Sequence, residues 1–202
     1  MTGTGQEADY KKDLHVYLQD ARDAFLWKLE ELSEYDIRRP MTATGTNLLG
    51  LVKHVTGAEG FYFGDVFGRP VDAPELWIAG DAEPNADLWA TADESRDEIV
   101  AQYKRVWAHS DATIGALDLD ATGLLPGGEG NELTLHRALV HMVAETQRHA
   151  GHADIVRELI DGTTGQRIGG ENMAPGDSAW WGSHRGRVER AAREASGGSG
   201  SA

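Results

Sequence analysis

The sequence predicts an all-α fold: a four-helix bundle with irregular loops and a short C-terminal helix. Four long stretches carry apolar residues three and four positions apart, the spacing of a single helical face. Glycine and proline clusters separate these stretches, and no alternating apolar runs indicate a pair of strands. The 202 residues fit one domain of ordinary size. We therefore expect the helices to pack around a shared core.

The first helix is predicted from about Ala8 to Leu32. Residues 1–8 are polar and rich in glycine, and we expect them to form a disordered lead-in. The helix should end before Pro40, because proline disfavours helical geometry in the residue ahead of it. Its apolar positions are Leu14, Tyr17, Leu18, Ala21, Phe25, Leu29 and Leu32.

The second helix is predicted to begin at Thr46 or Asn47, both good N-caps, and to run to about Phe67. His54 falls on the predicted inward face of this helix. The irregular stretch that follows, residues 71–90, is of the length and composition that often carry function in a compact domain. The expected inward positions are Leu48, Leu51, Val55, Ala58, Tyr62 and Val66.

The third helix is predicted to start at a capping box formed by Thr91 and Glu94. Its apolar line is Ile99, Tyr103, Val106 and Trp107, and a glycine-rich link over residues 118–132 comes after it.

The fourth helix is predicted from Thr134 to Asp161-Gly162, with Leu135, Leu139, Met142, Val143, Ile155 and Leu159 as its apolar positions. The bundle is thereby assigned to residues 9–162. Residues 163–195 are expected to form a loop and a short helix, Arg185–Ala195, and residues 196–202 a flexible tail.

The fourth helix carries a row of candidate metal ligands. His141, Glu145, His149 and His152 are separated by four, four and three residues, and so fall within an arc of about 80° on the helix. Burying several titratable groups together is costly unless something pairs with them, and a divalent metal is the simplest partner. His141 is one turn before Glu145 and could line the site, but it is assigned to packing or to the support of a ligand.

His54, on another inward face, adds a ligand from a facing helix. The predicted metal ligands are therefore His54, Glu145, His149 and His152. Imidazole and carboxylate suit Zn²⁺, the first choice, and also Ni²⁺, Fe²⁺ or Mn²⁺. A catalytic site uses about three protein ligands and keeps one position open, so the fourth residue would orient a ligand. The spacing leaves open whether Glu145 or His152 completes the set.

Composition limits the class of protein. Hydrophobic content of 40% and charged content of 26% are typical of a globular protein, and no apolar run is long enough to span a membrane. The N-terminus lacks the features of a signal peptide, so a cytoplasmic location is expected. The net charge of −14 argues against binding to nucleic acid or an anionic membrane. There is no cysteine, so any thiol chemistry needs a thiol from outside the chain.

At these residues the sequence resembles the DinB/YfiT-like superfamily of metal-binding four-helix proteins, in particular its actinobacterial mini-circle-protein-like branch. The similar segments are residues 48–55 (LLGLVKHV), 63–70 (FGDVFGRP) and 145–155 (ETQRHAGHADI), and the resemblance covers about residues 10–162.

The family commonly has three histidines, the last two as H-x-x-x-H followed by Arg-Gly-Gln. Here Glu145 stands at the first of those two positions, His149 matches the second, and His152 falls where the glutamine would be. Thiol-dependent maleylpyruvate isomerases in the family likewise use a carboxylate at the first position. The resemblance therefore keeps Glu145 as a candidate ligand without deciding between it and His152.

The resemblance implies a transferase or isomerase that uses a small thiol such as bacillithiol, glutathione or mycothiol. A bound metal lowers the pKa of a coordinated thiol and so supplies a nucleophile at neutral pH. The expected function is transfer of a mycothiol-like thiol to a small electrophile, in a pocket opened by residues 71–90. Dimers are common among the proteins it resembles, so a homodimer is one expected assembly.

Two alternatives stay open at the level of sequence. One is a metal-dependent hydrolase, in which water replaces the thiol and whichever of Glu145 and His152 is unligated carries the proton. The other is a non-catalytic protein that binds a metal or a small molecule.

Overall fold

The computed structural model describes residues 3–72, 83–126, 130–167, 169–170 and 173–197, with backbone alone for residues 3–8. The chain divides into two compact units, residues 1–170 and 171–202. The all-α prediction is confirmed. The helices are α1 (Gly3–Trp27), α2 (Glu34–Arg38), α3 (Leu48–Phe63), α4 (Arg96–Ala116), α5 (Leu135–Asp161) and α6 (Ser178–Gly197).

The four long helices of the first unit form the bundle. α3 packs against α4 and α5, and α1 packs against α5 and pairs with α3 through Arg22 and Glu59. The core consists of two apolar clusters, one towards each end of the bundle. α3 is apolar nearly all round, and twelve of its sixteen residues are buried, whereas the sequence predicted burial of a single face.

α1 differs from its predicted bounds at both ends. It begins at Gly3, so residues 3–8 are helical rather than a lead-in, and it ends at Trp27, five residues before Leu32. After Trp27 the chain tightens into turns and reaches a left-handed residue, Glu31, at φ 62°. Leu29 and Leu32 are still buried, which is why their apolar spacing looked like continued helix.

The end of α1 is held by a cation from another helix. Arg157 of α5 is 4% exposed and donates from Nη1 to the carbonyl oxygens of Lys28 (3.1 Å) and Glu30 (2.9 Å). Carbonyls at a helix end have no partner within the helix, and a guanidinium satisfies several of them at once. The following short helix α2, which the sequence did not predict, buries Ile37 completely.

Three predicted caps are confirmed. Asn47 accepts a hydrogen bond from the Gly50 amide at the start of α3, Thr134 accepts one from the Arg137 amide at the start of α5, and Gly162 ends α5 in the left-handed conformation. The predicted start of the third helix is wrong. Glu94 does accept from the Thr91 amide, at 2.7 Å, but α4 begins at Arg96 and Ser95 caps it.

The link between α4 and α5 contains a small strand pair, contrary to the sequence prediction. β1 (Thr122–Leu124) pairs antiparallel with β2 (Glu132–Thr134), and Gly123 lies opposite Leu133. A Cβ on Gly123 would lie 2.4 Å from the Val66 carbonyl oxygen, so this close approach requires glycine. Strands of three residues are too short to show an alternating pattern in the sequence.

Two apolar residues predicted to face inward from the fourth helix are exposed: Ile155 is 60% and Leu159 63% accessible. In the second unit, α6 has twenty residues and starts at Ser178, well before the predicted Arg185. None of the α6 residues is buried. No described helix combines the length and the apolar character needed to cross a membrane.

Candidate metal centre

Three of the predicted ligands meet between α3 and α5. His54, Glu145 and His149 each offer one ligand atom, and these atoms all lie within 4.8 Å of one another. Oε1 of Glu145 is 3.0 Å from Nε2 of His149 and 3.4 Å from Nε2 of His54. The two imidazole rings are in edge contact, with centroids 4.7 Å apart. Both Nε2 atoms and one carboxylate oxygen thus point at a common position.

The three side chains are partly shielded and partly accessible. His54 and Glu145 are each 25% exposed and His149 is 14% exposed. A site of this kind protects its ligands on the protein side and leaves one side open to solvent or substrate, as catalytic metal sites do.

A carboxylate holds the other nitrogen of His54. Oδ2 of Asp87 lies 2.7 Å from Nδ1 of His54, so Nδ1 donates to Asp87 and leaves the Nε2 lone pair free for a metal. Asp87 sits in a 3₁₀ turn, Ala86–Leu88, thirty-three residues after His54. This residue was not predicted from the sequence, in which residues 71–90 stand out only as a long irregular segment.

The turn that carries Asp87 is fixed to α3 by close contacts with the residues that precede His54. Lys53, which is 2% exposed, donates from Nζ to the Trp89 carbonyl oxygen at 2.7 Å. The side-chain amide of Asn47 donates from Nδ2 to the Leu88 carbonyl oxygen at 3.1 Å. A Cβ on Gly50 would lie 1.9 Å from that same oxygen, so a larger residue at this position would push the turn away from α3.

The protonation states of the cluster suit a metal. Burial, together with the neighbouring His54 ring, lowers the pKa of His149, which favours the neutral imidazole that acts as a ligand. Partial burial acts to raise the pKa of Glu145, but its contacts with His149 and His54 outweigh that effect and lower it. Glu145 is therefore an anion and His149 a neutral base at pH 7.

Of the four predicted ligands, the structure leaves His152 outside the group of converging atoms. His152 is exposed, and its Nδ1 lies 3.4 Å from Nδ1 of His149, on the side of that ring facing away from Glu145. His141 is also exposed and contacts the Tyr62 ring. The part of the predicted pocket loop at residues 73–82 lies outside the described residues.

The donor set fits a divalent metal. Two imidazole nitrogens and one carboxylate oxygen are the ligand types of Zn²⁺ and related ions, and three such ligands leave a coordination position for substrate. Among the described residues no lysine or arginine pairs with Glu145, whose carboxylate contacts the two imidazoles. His54, Glu145 and His149 could thus hold a metal ion.

Comparison with known proteins identifies the family and supports the fold. Residues 13–162 match the mycothiol-S-transferase family. A conserved protein from Enterococcus faecalis, known from a crystal structure, has a similar fold with a TM-score of 0.56 and 13% sequence identity. That similarity covers 75% of this chain and 97% of the other, and it bears on the fold alone. Comparison with curated proteins finds no significant match.

The matched segment begins within α1 and continues past the end of α5, so it includes all the residues of the cluster. It spans well over half of the chain. The chain therefore belongs to the mycothiol-S-transferase family, a DinB/YfiT-like family.

Proposed function

We propose that this protein is a divalent-metal-dependent transferase that joins a low-molecular-weight thiol, of the mycothiol type, to a small electrophile. The observation that carries the proposal is the convergence of His54, Glu145 and His149 on one partly open position in a chain of the mycothiol-S-transferase family. Zn²⁺ is the metal we expect, because the donor set is two imidazoles and a carboxylate.

Each residue has a defined role in this proposal. His54 and His149 bind the metal through Nε2, and Glu145 binds through its carboxylate. Asp87 keeps the His54 ring in place by accepting the hydrogen bond from Nδ1. His152, beside Nδ1 of His149, supports that ring from the solvent side and is not itself a ligand.

The reaction needs a sulfur nucleophile that the chain does not contain, since the sequence has no cysteine. A divalent metal, when bound, lowers the pKa of a coordinated thiol so that a thiolate is available at neutral pH. In the overall reaction a bond forms between the thiol sulfur and an electrophilic carbon, the leaving group departs with its electron pair, and the thiol proton passes to solvent. The negative charge of Glu145 and the shielding by α3 and α5 support the metal, and the open side admits both substrates.

The experiment is a conjugation assay with the full chain loaded with Zn²⁺. Mycothiol and 1-chloro-2,4-dinitrobenzene are mixed with and without protein, and chloride release and thioether formation are followed. We expect a protein-dependent rate that a chelator abolishes and Zn²⁺ restores. A rate equal to the uncatalysed one with mycothiol, glutathione and bacillithiol would contradict the proposal. Ester hydrolysis without any thiol would point to a hydrolase instead.

A further inference from the structure

The exposed part of α3 forms a narrow strip that starts at the metal cluster. The residues of α3 that are not buried are His54, Ala58, Phe61 and Tyr62, at spacings of four, three and one. These positions share one side of the helix. A ligand at the cluster therefore has this strip as the accessible surface of α3 beside it.

α5 supplies the opposite wall. His141, Glu145 and His149 are four residues apart and face the same side. His149 contacts His54, and His141 contacts Tyr62 with ring centroids 4.3 Å apart, so the two helices run antiparallel along this seam. The seam has the metal cluster at one end and the Tyr62–His141 pair at the other.

The side chain of α3 in the middle of the seam is small. Ala58 stands between His54 and Tyr62 and presents a single methyl group. Eight residues separate His54 from Tyr62, which corresponds to about 12 Å along the helix axis. That length suits a small molecule with a metal-binding atom at one end and a ring at the other.

Phe61 and Tyr62 pack against the second apolar cluster of the core on one side and remain partly accessible on the other. Tyr62 and Phe61, whose rings are 5.2 Å apart in an edge contact, are only half-buried, and His141 is exposed. Aromatic faces that stay accessible next to a polar site are a common means of binding a ring in a ligand.

We infer that Tyr62, with Phe61 and His141, forms a subsite that binds the ring-bearing tail of the molecule whose other end is held by the metal. The inference rests on the metal site of the proposed function. Tyr62 then determines which thiols or other metal-binding molecules bind well, because it contacts a ring about two helical turns from the donor atom. A short compound without a ring gains no such contact.

The test uses the full chain loaded with Co²⁺, whose visible absorption reports ligand binding. Two oxygen-donor probes, 6-phenylhexanohydroxamate and hexanohydroxamate, differ only in the ring. We expect the ring-bearing probe to bind about tenfold more tightly to the native protein. Tyr62→Ala should remove that preference, and Tyr62→Phe should keep it. Tyr17→Ala, at a 61% exposed tyrosine on α1, is the matched control and should keep it too.

The cobalt spectrum and melting temperature of each variant establish that the fold and the metal site are intact. Equal affinity of the two probes for the native protein, or a ring preference that survives in Tyr62→Ala, would overturn the subsite. Mycothiol is tested in parallel for a sulfur-to-cobalt absorption band. Absence of that band together with a normal ring preference would contradict thiol activation and leave the subsite in place. Failure of the chain to bind Co²⁺ would overturn both proposals.

Discussion

Two polar clusters on α3, only five residues apart, differ in nearly every physical respect. Glu59 forms an ion pair with Arg22 of α1, and the side chains of both are fully buried. His54, with Glu145 and His149 of α5, forms a cluster whose side chains are 14–25% exposed. Both clusters put titratable groups into the seams of the bundle, where burying them is costly.

In the first cluster, which we call closed, each charged group is paired within the protein. In the second, which we call open, the ligand atoms converge without a cationic partner among the described residues. The Arg22 guanidinium donates to Glu59 and to Asp111, at 2.9 Å, and so gives both carboxylates a cationic partner. The second cluster directs a carboxylate and two imidazole nitrogens at one position without a cation from the described part of the chain. Charges that are paired within the protein hold helices together, whereas donor atoms that converge without a cation are available to bind a metal ion. On α3, this contrast distinguishes the ion pair that stabilises the fold from the cluster that we propose to be functional.

The largest expected effect comes from breaking the buried ion pair of the closed cluster. Arg22→Met leaves Glu59 as an uncompensated buried carboxylate, and the free energy of unfolding should fall by about 3–5 kcal/mol. Denaturant titration with metal-free protein measures this change. The double variant Arg22→Met/Glu59→Leu should regain much of the loss, because no buried charge then lacks a partner. Lys104→Met, at an exposed position of α4, is the control, and an Arg22→Met loss no larger than the control's would contradict the interpretation.

The second prediction removes ligands from the open cluster. His54→Ala and His149→Ala should lose Zn²⁺ binding, whereas His136→Ala, at an exposed histidine of α5, should retain it. With Zn²⁺ at 100 times its Kd, the native protein should gain about 2.7 kcal/mol of stability that the two ligand variants lack. Elemental analysis and melting curves in chelator and in zinc measure both quantities. Equal metal content in all three variants would contradict the site.

Three of the four residues that the sequence predicts as ligands lie together in the open cluster, because most of its geometry is local. Glu145 and His149 are four residues apart on one helix, so helical geometry alone brings them together. His54 was found because it belongs to the apolar pattern of α3. Asp87 was missed because its contact with His54 depends on how a loop folds back over thirty-three residues, and no periodicity encodes that path.

The closed cluster was not predicted at all. Arg22 and Glu59 look like surface residues in a sequence, since charged side chains are seldom fully buried unless they are paired. Their pairing depends on the side-by-side packing of α1 and α3, which single-helix patterns do not specify. The same limitation explains α1: Arg157, more than one hundred residues away, satisfies the carbonyls that follow its early end.

The third prediction concerns the hydrogen bond that orients the open cluster. Asp87→Asn keeps the shape of the side chain but removes the negative charge that accepts from Nδ1 of His54. We expect Zn²⁺ affinity to fall by about 10–100-fold while the fold stays intact, as for other partners of metal-bound histidines. Competition with a chromophoric chelator measures the affinity. Asp65→Asn, at an exposed carboxylate just after α3, is the control, and an Asp87→Asn affinity equal to that of the control would show that the contact has no orienting role.

The smallest expected effect comes from a second closed pair, which borders the open cluster. Glu94 is bonded to Lys53, the residue before His54, with Nζ–Oε1 at 2.7 Å. Partial burial acts to raise the pKa of Glu94, but the hydrogen bond from Lys53 and the Thr91 amide outweigh it and lower the pKa. A lowered carboxyl pKa in the folded state adds stability that is present above the unfolded pKa, about 4.3, and is lost as the pH falls through the folded value.

Glu94→Gln should therefore lower the free energy of unfolding at pH 7 by about 1 kcal/mol, because the amide oxygen of glutamine can still accept from Lys53 and the Trp89 carbonyl oxygen remains a second partner. The difference between native protein and variant should shrink as the pH falls below about 4. Denaturant titrations between pH 3 and pH 7 measure it. A difference that stays constant with pH would mean that the pair acts through shape and not through charge. In that case Lys53 would hold the Asp87 turn through its hydrogen bond to the Trp89 carbonyl oxygen. The ion pair beside the metal cluster would then contribute less to stability through its charge than the Arg22–Glu59 pair does.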